Sequence, residues 1–285
     1  MAERIKLIAA SRAGDYIACG EAERVVHVFD ARLQKKVRTF ESTLDFGGER
    51  LAIDGAGRFC AVGNYEREGV ALYSLVSGKE IWRRREFRKV QHVRFLDLDS
   101  KIVCSHEDGP LVILDRATGE TIETLRGVKY LFAREDCAFS LRDGARLTLF
   151  DETRGVVSIA RESFAVLSAC FGADRLCLSE ATGPTRCLSL ADGAELWRYT
   201  PRDGTHVLTL SATAAQGRFH AVLYDYENPS HLLMRLDAAN GEAQPVCELP
   251  DASAHAFLAQ GARIVAADGV LRDTASGEIV GKLPF

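Results

Sequence analysis

Apolar residues recur with a period of two along most of this chain, in short runs that Gly, Asp or Asn interrupts. One arrangement is repeated seven times. An apolar strand ends in an acidic residue or serine, a turn glycine follows four residues later, and a second strand begins; LVILDRATGETIETL is the clearest example. The copies lie at 25–40, 70–82, 111–125, 146–160, 186–199, 232–246 and 269–283, and in the first of them Gln34 replaces the glycine. This alternation predicts strands and almost no helix.

The spacing of the copies predicts how many strands each repeat holds. The residues that end the first strand of each copy are Asp30, Ser74, Asp115, Asp151, Ser189, Asp237 and Asp273, and they are 36 to 48 residues apart. Two further alternating segments precede each copy, as in VQHVRFLD and SKIVCSH, so each repeat reads as four strands, a to d. Seven such units predict an all-β fold, a seven-bladed β-propeller that occupies residues 1–285 as a single domain.

The order of strands at the two termini predicts how the ring closes. The first segment, RIKLIAA, is a strand a, and the last, EIVGKL, is a strand d. We therefore expect blades one and seven to pack against each other without sharing a strand.

Composition and charge restrict the class of protein. Hydrophobic residues make up 47% of the chain and the net charge is −4, which is typical of a folded globular protein and not of a nucleic-acid-binding domain. Glu3, Arg4 and Lys6 interrupt the N-terminal apolar residues, so neither a signal peptide nor a membrane span is predicted, and we expect a cytoplasmic protein. No cofactor is predicted.

The eight cysteines include no Cys-x-x-Cys pair. Five of them lie in apolar strand segments, where reduced cysteine acts as a small buried hydrophobic residue: Cys19, Cys60, Cys104, Cys137 and Cys177. A disulfide or metal framework is the alternative.

Five of the repeats end strand c with a residue pair in the place where WD-repeat proteins carry Trp-Asp. These pairs are Phe29-Asp30, Leu114-Asp115, Phe150-Asp151, Leu236-Asp237 and Arg272-Asp273. The chain therefore resembles WD-repeat proteins, although the strand-c tryptophans and the Gly-His dipeptide are absent. LVSGKEIW and LADGAELW, which place Trp82 and Trp197 four residues after a glycine, are similar to the repeats of quinoprotein-dehydrogenase-like propellers. The resemblance implies a seven-bladed propeller and a platform for protein partners. As large apolar side chains, both tryptophans are expected to pack between neighbouring blades.

In a propeller with this strand order, the b-c and d-a loops share one face, which we call the loop face, and the a-b and c-d turns share the other. Loops vary without disturbing the core, so the loop face is where partner-binding residues are expected. Candidates in the b-c loops are Tyr65 and Arg67 in blade two, His106 in blade three, and Tyr224, Tyr226 and Asn228 in blade six. The basic run RRREFRK adds Arg84 and Arg88 in a d-a loop, facing an acidic partner or phosphates. Each of these loops could equally be an ordinary solvated loop.

Three histidines begin strands a: His92, His206 and His255. At the mouth of the central channel they could handle protons or bind a metal ion, or simply line a wet channel; we assign no metal ligands. No linear catalytic motif is present, so no catalytic residue is assigned.

The predicted function is a cytoplasmic platform that binds a protein partner, and neither nucleic acid nor a membrane, through the loop face. A regulatory or toxin-neutralising subunit is one form that it could take. The alternative is a propeller enzyme, a lactonase-like hydrolase or lyase, with its site at the channel mouth.

Overall fold

The computed structural model describes most of the chain. The described residues are 5–11, 14–21, 24–42, 51–65, 69–96, 99–106, 109–126, 132–133, 137–142, 146–151, 155–160, 166–172, 174–180, 183–213, 217–250, 254–258 and 261–284. For the described residues that fall within 127–167, only the backbone is described. Arg67 therefore lies outside the described residues.

The described chain forms strands joined by turns, as the alternation predicts. In the first three sheets the strands are β1 (Ile5–Ala10), β2 (Tyr16–Glu21), β3 (Val25–Asp30), β4 (Lys35–Glu41), β5 (Leu51–Ile53), β6 (Phe59–Gly63), β7 (Val70–Ser74), β8 (Glu80–Arg84), β9 (Val90–Leu96), β10 (Lys101–His106), β11 (Leu111–Asp115) and β12 (Thr121–Leu125). The next two sheets contain β13 (Phe132–Ala133), β14 (Cys137–Arg142), β15 (Arg146–Asp151), β16 (Gly155–Ala160), β17 (Val166–Phe171), β18 (Arg175–Glu180), β19 (Thr185–Ser189) and β20 (Glu195–Tyr199). The last two contain β21 (Thr205–Thr213), β22 (Arg218–Asp225), β23 (Ser230–Asp237), β24 (Ala243–Leu249), β25 (His255–Leu258), β26 (Arg263–Ala266), β27 (Val270–Asp273) and β28 (Ile279–Lys282).

Each sheet is a blade of four consecutive antiparallel strands, so the predicted propeller of four-stranded blades is confirmed. Strand pairing defines seven such sheets, and side chains are described in six of them, all except the sheet β13–β16. The first sheet contains β1–β4 and the last contains β25–β28, so these two blades share no strand. Among the described residues, no helix is long and apolar enough to cross a membrane.

Backbone hydrogen bonds fix which turns lie together. The residue after strand c donates its N–H to a carbonyl of the a-b turn in the same blade, as Arg116 does to Ser100 at 3.0 Å and Leu190 to Asp174 at 2.9 Å. The b-c and d-a loops are joined in the same way, since Tyr226 donates to the Gly204 carbonyl at 2.9 Å. The two kinds of turn therefore occupy opposite faces.

The hydrophobic core lies between neighbouring blades rather than within one of them. Blades one and seven illustrate this, because Ile17 and Phe29 of the first blade form one buried cluster with Leu258 and Val265 of the last. A single four-stranded blade would leave both of its apolar faces in water, and burying apolar surface is worth about 25 cal/mol per Å². The described cysteines are free thiols. Most are buried, and burial raises the pKa of Cys104 to about 12, as expected for a core residue and not for a reactive thiol.

Two tryptophans join neighbouring blades, as the sequence predicts. Trp82 of β8 donates its indole N–H to the Arg116 carbonyl in the c-d turn of the next blade at 2.8 Å. Trp197 of β20 donates to the Ala238 carbonyl at the same distance. A Cβ at the turn glycine of the next blade would lie 2.7 Å from the Trp82 ring at Gly119 and 2.5 Å from the Trp197 ring at Gly241. Glycine is therefore needed in these turns both for its positive φ and for the space that the indole fills.

The contact between the last and first blades reverses this arrangement. Gln34 replaces the turn glycine in blade one, and Gly281 of β28 stands four residues after Gly277, where blades two and five carry tryptophan. The Gln34 amide reaches back across the interface, donating to the Val280 carbonyl at 3.5 Å and accepting from the Lys282 N–H at 3.2 Å. A Cβ on Gly281 would lie 2.4 Å from the Gln34 amide nitrogen, so glycine on the strand makes room for the turn side chain.

A buried histidine lies between blades six and seven. His220 is fully buried, its Nδ1 lies 3.0 Å from the Thr213 hydroxyl oxygen, and its ring is 6.4 Å from that of Phe257. Burial, followed by the nearby cations Arg235 and Arg218, lowers its pKa from 6.5 to about 4. The folded protein therefore holds this ring neutral at mildly acidic pH.

We expect Gly241→Ala to lower the free energy of unfolding by about 2–4 kcal/mol, because the methyl group meets the Trp197 ring and the backbone is strained at positive φ. Gly217→Ala is the matched control: its φ is also positive, but nothing lies within 4 Å of the added Cβ. Gly217→Ala should lower the free energy of unfolding, measured with urea, by only about 1 kcal/mol. Equal losses for the two variants would mean that the indole contact contributes nothing.

Gln34→Ala should weaken the closing interface, because two hydrogen bonds to β28 are lost, worth about 1 kcal/mol together at an exposed site. In native-state hydrogen exchange, amides of blades one and seven should then exchange faster, while those of blades two and six keep their rates. Without the substitution these two blades are already expected to open first. Uniform protection around the ring in both proteins would contradict this account.

Protonation of His220 should destabilise the fold. In the unfolded chain His220 binds a proton below about pH 6.5, whereas in the folded protein it does so only near pH 4. The contribution of the neutral ring to the free energy of unfolding is therefore fully present above pH 6.5 and is lost as the pH falls to about 4. The loss amounts to about 3 kcal/mol. His220→Gln should flatten the dependence of the free energy of unfolding on pH in this window. If the free energy of unfolding changes with pH equally in His220→Gln and wild type, His220 is not the group responsible.

Candidate partner-binding surface

The b-c loop of blade six is held in place by the side chain that precedes it. Asp225 ends β22, and its Oδ1 accepts hydrogen bonds from the backbone N–H groups of Glu227 at 3.0 Å and Asn228 at 3.1 Å. These hydrogen bonds hold the pKa of the Asp225 carboxyl below its usual value, and the bond from Asn228 has the largest effect. The other carboxylate oxygen pairs with Arg202 of the preceding d-a loop. The two loops thus form one tied unit, because Tyr226 also donates to Gly204 across the same gap.

Four rings form a continuous row on this unit. The strand register places Tyr224 opposite His206 on one side and His231 on the other. Tyr226 lies edge-to-face against both Tyr224, with centroids 4.6 Å apart at 84°, and His206, at 4.9 Å and 89°. The rings of Tyr224 and His231 are 4.9 Å apart. We call these four residues the aromatic row. Edge-to-face contacts of this kind fix ring orientation.

Tyr226 is the exposed member of the aromatic row, at 58% of its surface. Tyr224, His206 and His231 are half-buried beneath it, and Asn228 beside it is exposed. The structure therefore brings together four of the residues that the sequence singled out, Tyr224, Tyr226, Asn228 and His206. Two members of the site were missed: Arg202 and His231.

The predicted contribution of blade three differs in the structure. His106 was expected to offer its ring at the surface, but the residue is only 5% exposed. Its Nδ1–H donates to the Arg88 carbonyl at 2.9 Å, its ring packs 5.2 Å from Phe87, and burial lowers its pKa. His106 therefore supports the d-a loop above it and presents no surface to a partner.

The Arg84 side chain also makes its contacts within the protein. Its guanidinium pairs with Glu86, lies 5.3 Å from the Phe87 ring centre and donates to the Gly119 carbonyl in the next blade. Arg88, by contrast, is exposed, as is part of Tyr65, which follows the buried Asn64 at the start of the blade-two loop. The basic run thus offers Arg88 to solvent, while Arg84 joins blades two and three.

The structure does not bring the three strand-a histidines together. His206 lies edge-to-face against Tyr226, and the His255 Nε2 lies 2.8 Å from the Thr209 hydroxyl oxygen of the neighbouring blade. His92 belongs to blade three, where it faces Ser105 across the sheet. Within the described part of the chain, no three His, Cys, Asp or Glu side chains lie close enough to hold a metal ion. Among the residues that the structure describes, no side-chain arrangement specifically favours the channel-mouth enzyme.

Comparison with known proteins supports the fold. No protein-family model matches the chain, and no curated protein matches it in sequence. Solved structures do match. The Kluyvelomyces marxianus Hsv2 structure superposes with a TM-score of 0.75 at 8% identity, covering 95% of this chain and 91% of that one. The β-propeller domain of Myceliophteria thermophila Cps50 (Swd1) gives 0.71 at 14%, covering 97% and 95%, and the RRP9 WD40 repeats give 0.69 at 12%, covering 93% and 87%.

The fold is a WD-repeat-like β-propeller. This agrees with the resemblance carried by the strand-c endings, such as Leu114-Asp115, although no strand-c tryptophan is present. At identities this low the likeness concerns the fold alone.

Proposed function

We propose that this WD-repeat-like propeller is a cytoplasmic protein-interaction platform, and that its partner docks on the loop face of blade six with Tyr226 as the anchor. The observation that carries the proposal is the aromatic row. Tyr226 exposes more than half of its surface and is nevertheless held by two edge-to-face contacts. An exposed ring that is already oriented loses little conformational entropy on binding, which is why tyrosines serve as interface anchors.

The surroundings of Tyr226 indicate the kind of contact that it favours. Arg202 and Asp225 pair with each other beside the ring, and Glu227, the next residue along the loop, adds an exposed carboxylate. A partner side chain with an apolar stem and a cationic end, such as arginine, would pack on the free ring face and gain a cation–π interaction. Asn228, exposed at the loop tip, supplies a hydrogen-bonding group at the edge of this contact.

The proposed surface extends towards blade two. Tyr65, Arg67 and Arg88 remain candidate contacts, since the described members, Tyr65 and Arg88, are at least partly exposed. His106 and Arg84 are left out because internal contacts occupy them. A regulatory or toxin-neutralising subunit fits such a surface, because it acts by binding alone.

We further infer that all seven sheets complete one closed ring over residues 1–285. Support comes from the buried cluster between the last and first blades and from the Gln34 amide that bridges them. A closed ring keeps the loops of blades two and six on a common rigid face.

The proposal is tested by affinity purification with mass spectrometry, using wild type, Tyr226→Ala and Leu196→Ser. Tyr226→Ala should reduce recovery of the partner about tenfold or more, as expected when an anchor residue is removed. Leu196→Ser is the matched control, since it removes an exposed apolar side chain from the outer strand β20. Both variants alter exposed side chains, so both should keep the wild-type melting temperature. Equal recovery with wild type and Tyr226→Ala would exclude blade six as the docking site.

A further inference from the structure

Among the described residues, the large exposed aliphatic side chains lie on the outer strands and the c-d turns, which together form the outer rim, and not on the loop face. Five outer strands contain a β-bulge at the same place, and in each the extra residue is aliphatic and 44% to 52% exposed. These residues are Val37, Ile81, Ile122, Leu196 and Val280. Each stands three residues after the turn glycine, or after Gln34 in the first blade.

In three consecutive blades further exposed aliphatic residues accompany the bulges. Leu33 and Val76 lie in the c-d turns of blades one and two and are 71% and 72% exposed, and Ile279 of β28 is 63% exposed. We call the combined set the apolar rim: Leu33, Val37, Val76, Ile81, Ile279 and Val280. Blades three and five show only their single bulge residue, so the set is concentrated on blades seven, one and two.

Hydrogen bonds between blades show that the apolar rim is continuous. Gln34, next to Leu33, bonds to the backbone on either side of Gly281 and so places that turn against β28. Arg38, next to Val37, donates to the Val76 carbonyl at 2.5 Å and places the blade-two turn against β4. A contiguous apolar patch of this kind on a folded domain marks an interaction site.

Lysines surround the apolar rim. Lys35, Lys79 and Lys282 are exposed and form no ion pair among the described residues, whereas Arg83 is paired with Glu80. The exposed carboxylates on the same outer strands and turns are Glu41, Glu80 and Glu278. Arg32, Lys36, Arg38 and Arg84 lie on these turns and strands as well. The c-d turns and outer strands of blades seven, one and two therefore carry eight cationic side chains against three carboxylates, a local excess of positive charge on a protein whose net charge is −4. A second copy in a symmetric dimer would bring the same lysines together, which disfavours self-association.

We propose that the apolar rim is a second docking surface, and that it binds an extended, acidic segment of a partner protein in which aliphatic residues alternate with Asp or Glu. Alternation matches an extended chain, whose successive side chains point to opposite sides. The bulges interrupt the regular hydrogen-bonding edge of each outer strand, so the side chains, rather than a continuous added strand, supply the recognition. The surface is distinct from blade six, so it goes beyond the proposed function.

Fluorescence anisotropy with three labelled synthetic peptides tests the proposal on the full chain. One peptide alternates Glu and Val, one alternates Glu and Ser, and one alternates Lys and Val. The Glu/Val peptide should bind most tightly and more weakly as salt is added, because exposed charges are screened. Lys35→Glu/Lys79→Glu/Lys282→Glu should weaken its binding about tenfold or more.

Two more variants separate the apolar contribution from the charge. Val37→Ser/Val280→Ser should weaken binding of the Glu/Val peptide several-fold, because two aliphatic contacts are lost. Leu196→Ser is the matched control, since it alters the same bulge position in blade five, where Glu195 and Arg198 flank the site. It should bind the peptide as wild type does. Thermal melting checks that every variant is folded.

Four outcomes would overturn the proposal. The Glu/Val peptide could bind no more tightly than the other two, or the lysine variant could leave its affinity unchanged. Wild type could ignore the peptides and instead bind phosphatidylserine vesicles through these lysines, which would make the rim a membrane surface. A dimer lost in Val37→Ser/Val280→Ser would make it a self-association surface. Partner recovery that depends on Tyr226 should persist in the lysine variant, so the two proposals fail independently.

Discussion

The packing of each blade against the next is the constraint on which the other features of this protein depend. No four-stranded sheet can bury both of its faces alone, so the apolar side chains of one blade require those of its neighbour. Strand d contributes a large side chain, such as Trp197, and the next c-d turn contributes a glycine that leaves room for it. The indole hydrogen bond then fixes the height of one blade relative to the next. A repeat protein of this kind is stable only as an array.

The two candidate surfaces follow from this constraint. The inner strands and the core faces of the sheets pack between blades, which constrains their residues. Residues in the loops and at the outer edge are not constrained in this way. On the loop face, Asp225 and Arg202 tie a b-c loop to a d-a loop and give the aromatic row a rigid base. At the rim, the bulge that turns an aliphatic side chain outwards lies one residue before the position that reaches the next blade. The exposed Val37 and the bridging Arg38 are neighbours for this reason.

How much could be predicted from the sequence depended on whether the signal was local. The strands, their order within each repeat and the place of Trp82 and Trp197 between blades follow from alternation and from the glycine spacing, and the structure bears them out. His231 could also have been found, because a short loop after Asp225 places it opposite Tyr224. The burial of His106 could not, since it results from a loop eighteen residues earlier in the chain folding over the ring. The bulges were equally hidden, because alternation alone does not show where one strand gains a residue.

The closing interface shows that the packing rule concerns volume and not residue identity. At the Trp82 and Trp197 interfaces the strand carries the large group and the turn carries glycine, as in Trp82 with Gly119. Between the last and first blades the turn carries Gln34 and the strand carries Gly281, and hydrogen bonds still join the two elements. Gln34 has a positive φ of 49°, and the hydrogen bonds to β28 offset the local backbone strain of that conformation. Because two large groups would clash and two glycines would leave a gap, the strand position and the turn position must be compatible in size. This requirement distinguishes the interface between the last and first blades from the two tryptophan interfaces, and the last and first blades meet there without sharing a strand.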